Sequence, residues 1–581
     1  MNQEIAMSLT KKLTAVIMAV LLISGFAVYN TSAADITTAP IGAHTGIAPL
    51  GNQKPAPQLT VEGITLPQSY NAAEEGLVLP VKIQQNNTCW AFGPLSTFET
   101  LLLSKGEDIS DFSTQHANLW GIKSSTGTGW QRSEESSGYT YITPGYLTSG
   151  SGPVYEKDFP VESTKYFYDE IFDKTPEYAL TEAILFNNNS ESSAIKELIY
   201  TYGSVVGNFN ADTSYLSNRM AFYCADATLT ISQLSGHCVS VVGWDDGYPK
   251  ENFANSISGT PKEDGAWLIK NSWGEYNTLG GYFWVSYEDV WMFDEIFGPC
   301  YAFSDYEKLT EDTRIYQNEI YGATYEFDYF STESKPDGIV TYMNVFDFAE
   351  GNRTLDKVVF ESTSYGSAYT VYYIPVNDNS PIKDKNLWTE LAKGTVDYAG
   401  YICTDIEDTL LPQGKGAIGI TIDNKASYLE NGAKNSIGVS EWLFSSKRYI
   451  FIPDSDYGMS YYMKDGAVRD VMTYYASTFD DLIGGTFVIK AITNNPENST
   501  DTTPDEITWL VGDADLSGTV NVKDATTIQK AIASLINLTD EAVLSSDSNE
   551  DGTLNIKDAT DIQKFIAGMT VQGRIGQVIT R

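Results

Sequence analysis

The alternation of apolar and polar positions divides the chain into regions of different period. Residues 13–28 are a nearly unbroken apolar run behind Lys11 and Lys12, interrupted by Ser24 and Gly25 and followed by Thr31-Ser32-Ala33-Ala34. A basic start, a short apolar stretch and a small-residue end predict a cleaved signal peptide over residues 1–34, with a membrane anchor as the rival reading. Residues 35–64 are rich in Pro, Gly, Thr and Ala and lack a helical period, which suits a pro-segment or spacer. From 65 to 300 two periods mix. After Cys89, apolar residues recur at helical spacing (Trp90, Phe92, Leu95, Phe98, Leu101, Leu102), whereas Val239-Ser240-Val241-Val242 and Trp267-Leu268-Ile269 read as short buried strands. This predicts an α+β domain.

Between 301 and 493 the pattern changes to short β-branched and aromatic runs. Examples are Lys357-Val358-Val359-Phe360, Tyr369-Thr370-Val371-Tyr372-Tyr373-Ile374, Ala417-Ile418-Gly419-Ile420-Thr421-Ile422 and Thr486-Phe487-Val488-Ile489. Gly, Asn and Asp punctuate them, which predicts an all-β sandwich. Residues 494–508 are a polar, Pro-containing linker. Residues 509–570 hold an internal repeat, and 571–581 are left as a tail.

Composition narrows the partners. Asp and Glu number 76 against 37 Lys and Arg, a formal net charge of −39. Such a surface repels phosphate backbones and anionic lipid, so neither nucleic acid nor, after signal cleavage, a membrane is expected as partner. It suits cations. Five cysteines, at 89, 224, 238, 300 and 403, are too few and too scattered for a disulfide scaffold and include no CxxC pair. Cys224, Cys238, Cys300 and Cys403 read as small buried residues or as one disulfide.

Cys89 is different. The polar stretch Gln84-Gln85-Asn86-Asn87-Thr88 runs into Cys89 and then into the helical pattern, so the thiol sits at a helix N-terminus, where partial positive charge favours the thiolate. Gln84 or Gln85 could bring an amide to the same point and, with the Cys89 backbone N–H, offer two donors to an oxyanion. The chain has three histidines. His44 falls in the spacer and His116 in a polar helix-like stretch that reads as structural. His237 opens the β-branched run His237-Cys238-Val239-Ser240-Val241-Val242 and can be held rigidly there. In Lys270-Asn271-Ser272-Trp273-Gly274, Asn271 can accept a bond from the imidazole while Trp273 shields it.

These segments resemble the papain family of cysteine peptidases, in which a Q…CWAF segment, a His segment and an NSWG segment follow in that order. The resemblance covers about residues 65–295, within a peptidase domain taken as 65–300, and implies a two-lobed fold with the cleft between lobes. Carried over, it makes Cys89 the nucleophile, His237 the general base and acid, Asn271 its orienter and Gln84 the oxyanion donor, acting on peptide bonds without a cofactor. Four departures stand out, one being Cys238 in place of the usual Ala after His237. The glutamine loop is one residue short, which keeps Gln85 open as the donor; Asn86 occupies the place of a frequent second cysteine; and there is no long helical propeptide. The stretch 130–147, around Gly138, corresponds to a cleft wall. A catalytically dead adhesin or another thiol chemistry are the competing classes.

The repeat near the C-terminus has its own chemistry. Oxygen side chains at Asp513, Asp515, Ser517, Asn521 and Asp524 recur 34 residues on at Asp547, Asn549, Asp551, Asn555 and Asp558, with Gly518 and Gly552 at the turn. Thr519 and Thr553 stand where a backbone carbonyl would serve. This is calcium-loop spacing, for two ions. Both loops lead into near-identical helices, but no entering helix precedes the first and position 12 is Asp rather than Glu. The unit resembles a type I-like dockerin, which implies a cohesin module on a scaffoldin as partner and an extracellular, cellulosome-like complex serving polysaccharide breakdown. Val522, Lys523, Ile556 and Lys557 hold the positions that set partner choice in such modules. Residues 301–493 resemble, diffusely, the lectin-like sandwich that accompanies some secreted papain-type peptidases. That leaves a bound glycan or a plain packing and substrate-positioning role open, the latter being the simpler.

Overall fold

A computed structural model describes most of residues 65–580. Outside the described residues lie 1–64, 123–127, 162–170, 172, 327–337, 349–352, 379, 425–436, 442, 446–447, 479–483, 496–507, 518, 533–535, 537, 550–553, 568, 570, 572–573 and 581. The expected signal peptide and pro-segment fall among these, as do Asp551 and Thr553. No described helix is long and apolar enough to cross a membrane. The chain forms two compact units, Leu66–Asn495 and Pro496–Arg581.

The larger unit is organised by one twelve-stranded sheet. From one edge it runs through Arg314–Gln317, Ile489–Asn494, Thr354–Ser362, Gly400–Leu410, Tyr178–Phe186, Cys300–Lys308, Val205–Asn210, Gly236–Asp245, Ala266–Lys270 and Tyr282–Ser286 to Ala221–Phe222, and Ser69–Asn71 pairs with Gly236–Asp245. Its second half carries the helix Cys89–Ser104, which packs on Gly236–Asp245. Its first half belongs to the sandwich, whose other layer is a seven-stranded sheet including Ile339–Phe348, Ala368–Asn377, Gly414–Asp423 and Ser460–Lys464.

The sequence pattern leads one to expect a sandwich that starts at residue 301 as a separate body, and the structure departs from this. The strand Cys300–Lys308 lies wholly in the peptidase half, paired with Tyr178–Phe186. Gly400 and Tyr401 then pair with Ile184 and Ala183, joining the two halves into one sheet. The cause is visible in the alternation along the shared strands. Val358, Phe360, Ile402, Ile489 and Ala491 enter the sandwich core, while their neighbours Val359, Tyr401, Val488 and Ile492 enter the core that also holds Cys89, Trp90 and Phe98. A strand buried on both faces reads as a continuous apolar run, as Val358-Val359-Phe360 does.

The smaller unit has helices Val522–Ile532, Asp540–Ser546 and Ile556–Ile566 around Val511, Ala525, Ile528, Ala559, Ile562 and Ile575. The last residues are part of it rather than a tail, because Val578–Thr580 pairs with Thr508–Leu510 and Ile575 is buried.

Candidate active site

Three backbone arrangements bring the candidate residues together. The helix Cys89–Ser104 starts at Cys89 and has no acidic residue in its first turn, so no carboxylate opposes a thiolate at its positive end. The helix lies close against Gly236–Asp245: a Cβ added at Gly93 would sit 3.0 Å from both Cys238 Sγ and Val239 N, and Thr97 Oγ1 is 3.0 Å from Ser240 Oγ. Cys89 lies one helical turn before Gly93, about 6 Å along the axis, and its charge acts on Cys238, the residue that follows His237. The third arrangement is a short antiparallel seam. Gln84 N donates to Ser272 O at 2.8 Å, Gly274 N donates to Lys82 O at 3.0 Å, and Ile83 bridges Trp273. It sets Gln84 beside the Asn271-Ser272-Trp273 segment, which follows directly on the strand Ala266–Lys270.

The imidazole is tightly held. His237 Nε2 donates to Asn271 Oδ1 at 2.7 Å, and the same oxygen accepts from Ser272 N at 2.7 Å, which fixes it as oxygen rather than nitrogen. Trp273 stacks on the His237 ring at 4.9 Å and Phe209 meets it edge-on at 6.0 Å. With Nε2 as donor, the lone pair is on Nδ1, which is buried and has no hydrogen-bond partner among the described residues. Burial pushes the His237 pKa down to about 4, and the Asn271 bond opposes that shift. The resting ring is therefore neutral at pH 7, with Nδ1 ready to take a proton.

Gln84 is buried while Gln85 is exposed. Ser272 Oγ donates to Gln84 Oε1 at 2.5 Å and Gln84 Nε2 donates to Asn86 O at 2.9 Å, so the amide is anchored on the Asn271 side of Cys89. Gln85 turns instead to a groove of about 410 Å³, which is also lined by Asn86, Thr88, Phe92, Gln115, Asn118 and residues 133–135. Of the expected wall at 130–147, Glu134 and Glu135 with Ser133 line this groove. Trp130, Tyr141, Tyr146 and Leu147 are core, because large aromatic groups gain more from burial than a cleft rim offers. Gly138 lies against Trp90, where a Cβ would come within 2.5 Å of the indole.

His116 is placed away from this chemistry, with Nδ1 2.7 Å from Tyr146 Oη and Nε2 2.9 Å from Ile171 O. All five cysteines are free thiols. Burial raises the pKa of Cys238, the thiol beneath the Cys89–Ser104 helix, and the Cys89 charge raises it further, so it stays protonated. Sequence reasoning missed Gly93 and Ser272, whose contacts join segments far apart in the chain.

In the smaller unit, the carboxylates of Asp513, Asp515 and Asp524 offer oxygens within 4.8 Å of one another. Asp524 accepts from Asp515 N and Asn521 N, and Asp558 repeats this with Asn549 N and Asn555 N. Ser517 N bonds to Asp513 Oδ1, and the Thr519 carbonyl accepts from Asn521 Nδ2 inside the same loop. Asp513, Asp524 and Asp558 are buried. Burial, with the charge of Asp515, raises the proton affinity of Asp524. Three converging carboxylates, two of them buried, fit a hard divalent cation and are otherwise mutually repulsive.

A solved structure of the clostridial cysteine protease Cwp84 after propeptide cleavage is 32% identical over 74% of this chain and 99% of its own, with a TM-score of 0.63. The chain belongs to the papain family of cysteine proteases. The family model for papain family cysteine proteases matches residues 66–293, and a lectin-like domain model matches 315–493. A second structure contains the cysteine protease and lectin-like domains of Cwp84, a surface layer associated protein of Clostridium difficile. It is 32% identical over 78% of this chain and 93% of its own, with a TM-score of 0.65. The protein is thus a hydrolase of the papain family with a lectin-like sandwich behind its protease domain.

Proposed function

We propose that the chain is an exported endopeptidase that cleaves peptide bonds through Cys89, His237, Asn271 and Gln84. The observation carrying this is the His237 Nε2–Asn271 Oδ1 bond beneath Trp273, which leaves Nδ1 unpartnered on the strand that carries the Cys89 helix. His237 Nδ1 takes the Cys89 thiol proton, and the thiolate attacks the substrate carbonyl. The oxyanion is met by the Cys89 N–H, at the positive end of the helix, and by the Gln84 amide. Protonated His237 then delivers its proton to the leaving amine, and water admitted to the site hydrolyses the thioester with His237 again as base. Asn271 supports the imidazolium against the burial that disfavours it. Labelling by an epoxide thiol inactivator, followed by peptide mapping, tests this: label on Cys89, absent in Cys89→Ala, is expected, and peptide hydrolysis that survives Cys89→Ala would end the reading.

We further propose that the C-terminal unit is a calcium-loaded dockerin that docks the enzyme on a cohesin module of an extracellular scaffold. Support comes from the repeated loop geometry at Asp524 and Asp558 and from exposed Val522 and Ile556 at equivalent helix starts. Asp513, Asp515, Ser517, the Thr519 carbonyl, Asn521 and Asp524 would hold one ion and Asp547, Asn549, Asp551, Thr553, Asn555 and Asp558 the other. A location outside the cell accords with the surface-layer association of Cwp84 and makes a protein substrate at the cell surface the natural target. Calorimetric titration of the full chain with calcium, then with a cohesin module, tests it; no calcium uptake would exclude the docking role.

A further inference from the structure

The start of the nucleophile helix is not closed by its own backbone. Pro94 lies inside Cys89–Ser104 and has no N–H, so the carbonyl four residues before it, Trp90 O, lacks its helical donor. Thr143 Oγ1 supplies that donor at 2.7 Å, from the helix Ile142–Thr148. Trp90 directly follows Cys89, so the geometry of the first turn depends on where Ile142–Thr148 sits.

That helix is in turn seated on sandwich residues. A Cβ at Gly145 would fall 2.3 Å from Tyr321 O and 2.9 Å from Gly322 N, and one at Gly322 would fall 3.0 Å from Gly145 Cα, so the two backbones are in direct contact. The Tyr321–Gly322 turn is fixed from the sandwich side. Gly322 N bonds to Glu319 Oε2 at 2.5 Å, and Glu319 Oε1 pairs with Lys490 Nζ at 2.8 Å, both side chains being fully buried. Lys490 lies on Ile489–Asn494, a strand of the shared sheet. Tyr321 also packs on Trp120 at 5.0 Å and on Phe451 at 5.5 Å, and Phe451 meets Trp130 at 4.7 Å.

We propose that the lectin-like sandwich is a positioning element for the nucleophile. It acts through Tyr321–Gly322, the helix Ile142–Thr148 and the Thr143 hydroxyl on Trp90, and Thr143 is a positioning residue of the protease. The proposal rests on Cys89 being the nucleophile. It assigns the sandwich a role that requires no ligand.

The test uses the full chain with Thr143→Val, Thr143→Ser, Phe451→Leu and the Thr143→Val/Phe451→Leu pair. Readouts are kcat and KM on a fluorogenic peptide, the pH profile of Cys89 alkylation by iodoacetamide, and the melting temperature. Displacement of the first turn predicts that Thr143→Val lowers kcat about tenfold with KM within about twofold. It also predicts an alkylation profile moved to higher pH. Thr143→Ser restores both. Phe451→Leu, a sandwich substitution, moves kcat and the profile in the same direction, and the pair falls short of the product of the singles, as residues acting through one element do. Phe451→Leu that melts as one cooperative unit yet keeps wild-type kcat and alkylation overturns the proposal, as does Thr143→Ser no better than Thr143→Val. If Thr143→Val does not fold, the serine and Phe451 variants still decide. Wild-type alkylation that inactivates without label on Cys89 would instead remove the nucleophile reading, and the proposal with it.

Discussion

Gly93→Ala sets helix propensity against catalysis. Alanine is favoured over glycine in a helix interior by about 1 kcal/mol, so on local grounds the change stabilises. The structure opposes it. The new Cβ would lie 3.0 Å from Cys238 Sγ, 3.0 Å from Val239 N and 3.1 Å from Val239 C. Two of those atoms are backbone of a central strand and cannot swing aside. Reaching ordinary contact at about 3.5 Å requires the helix to move outward by roughly 0.5 Å. Overpacking of this kind costs about 1–3 kcal/mol, so the net effect on stability is a loss of roughly 0–2 kcal/mol. The kinetic effect is larger in proportion. A misplacement of about 1 Å at a reacting group can cost a hundredfold, so half of that predicts a fall in kcat of about tenfold. Peptide hydrolysis and thermal melting of the purified variant measure both numbers. A Gly93→Ala protein that melts higher than wild type and retains its kcat would refute the packing argument and the close register of the helix on Cys238 and Val239.

Four further outcomes follow from described geometry. Asn271→Ala removes the one bond that favours the charged His237 ring, so kcat should fall by about a hundredfold or more while the inactivator still reaches Cys89; unchanged kcat would deny Asn271 its role. Glu361 is half-buried with its Oε2 buried, and desolvation pushes its pKa up to about 7, with the Tyr401 hydroxyl opposing, so its folded value lies above its unfolded one. Its contribution favours the fold at acid pH and is lost as pH rises from about 4.5 through 7, by on the order of 3 kcal/mol, and melting of Glu361→Gln should show a flatter pH slope than wild type across that interval. Chelation should release protection from hydrogen exchange in residues 508–580 and leave peptide hydrolysis intact, and Asp524→Ala or Asp558→Ala should each remove one calcium from the titration. Gln84→Ala should cost about 3 kcal/mol in barrier height and Gln85→Ala far less, measured as kcat/KM; the reverse order would move the oxyanion donor.

The segments around Cys89, His237 and Asn271 could be picked out from the chain alone because each pairs a polar reactive group with a local period. A thiol opens a helical run, an imidazole opens a β-branched run, and an amide ends another. The choice between Gln84 and Gln85 was open because it turns on which of the two faces the 272–274 seam, a contact across almost two hundred residues. Thr143 was invisible for the same reason, although Pro94 in a helical pattern already announces an unpaired carbonyl at Trp90. The shared sheet was missed because short apolar runs were assigned to a sandwich without asking what covers their second face. Val358-Val359-Phe360, apolar on both faces, held that answer. The acidic loops at 513–524 and 547–558 were legible through duplication, which repeats each oxygen at a fixed offset. The closing strand Val578–Thr580 has no repeat partner and is too short for a period to show.

The order of strands in the large sheet bears on when this enzyme becomes active. Ile489–Asn494 is inserted between Arg314–Gln317 and Thr354–Ser362, and it carries Lys490, the counter-charge for buried Glu319. A chain emerging from its N-terminus exposes Cys89 long before that strand arrives. The support beneath Cys89 therefore stays unfinished until Lys490 and its strand have been delivered. A chain cut short before Ile489 would hold Cys89, His237 and Asn271 yet lack both that strand and the Lys490 counter-charge.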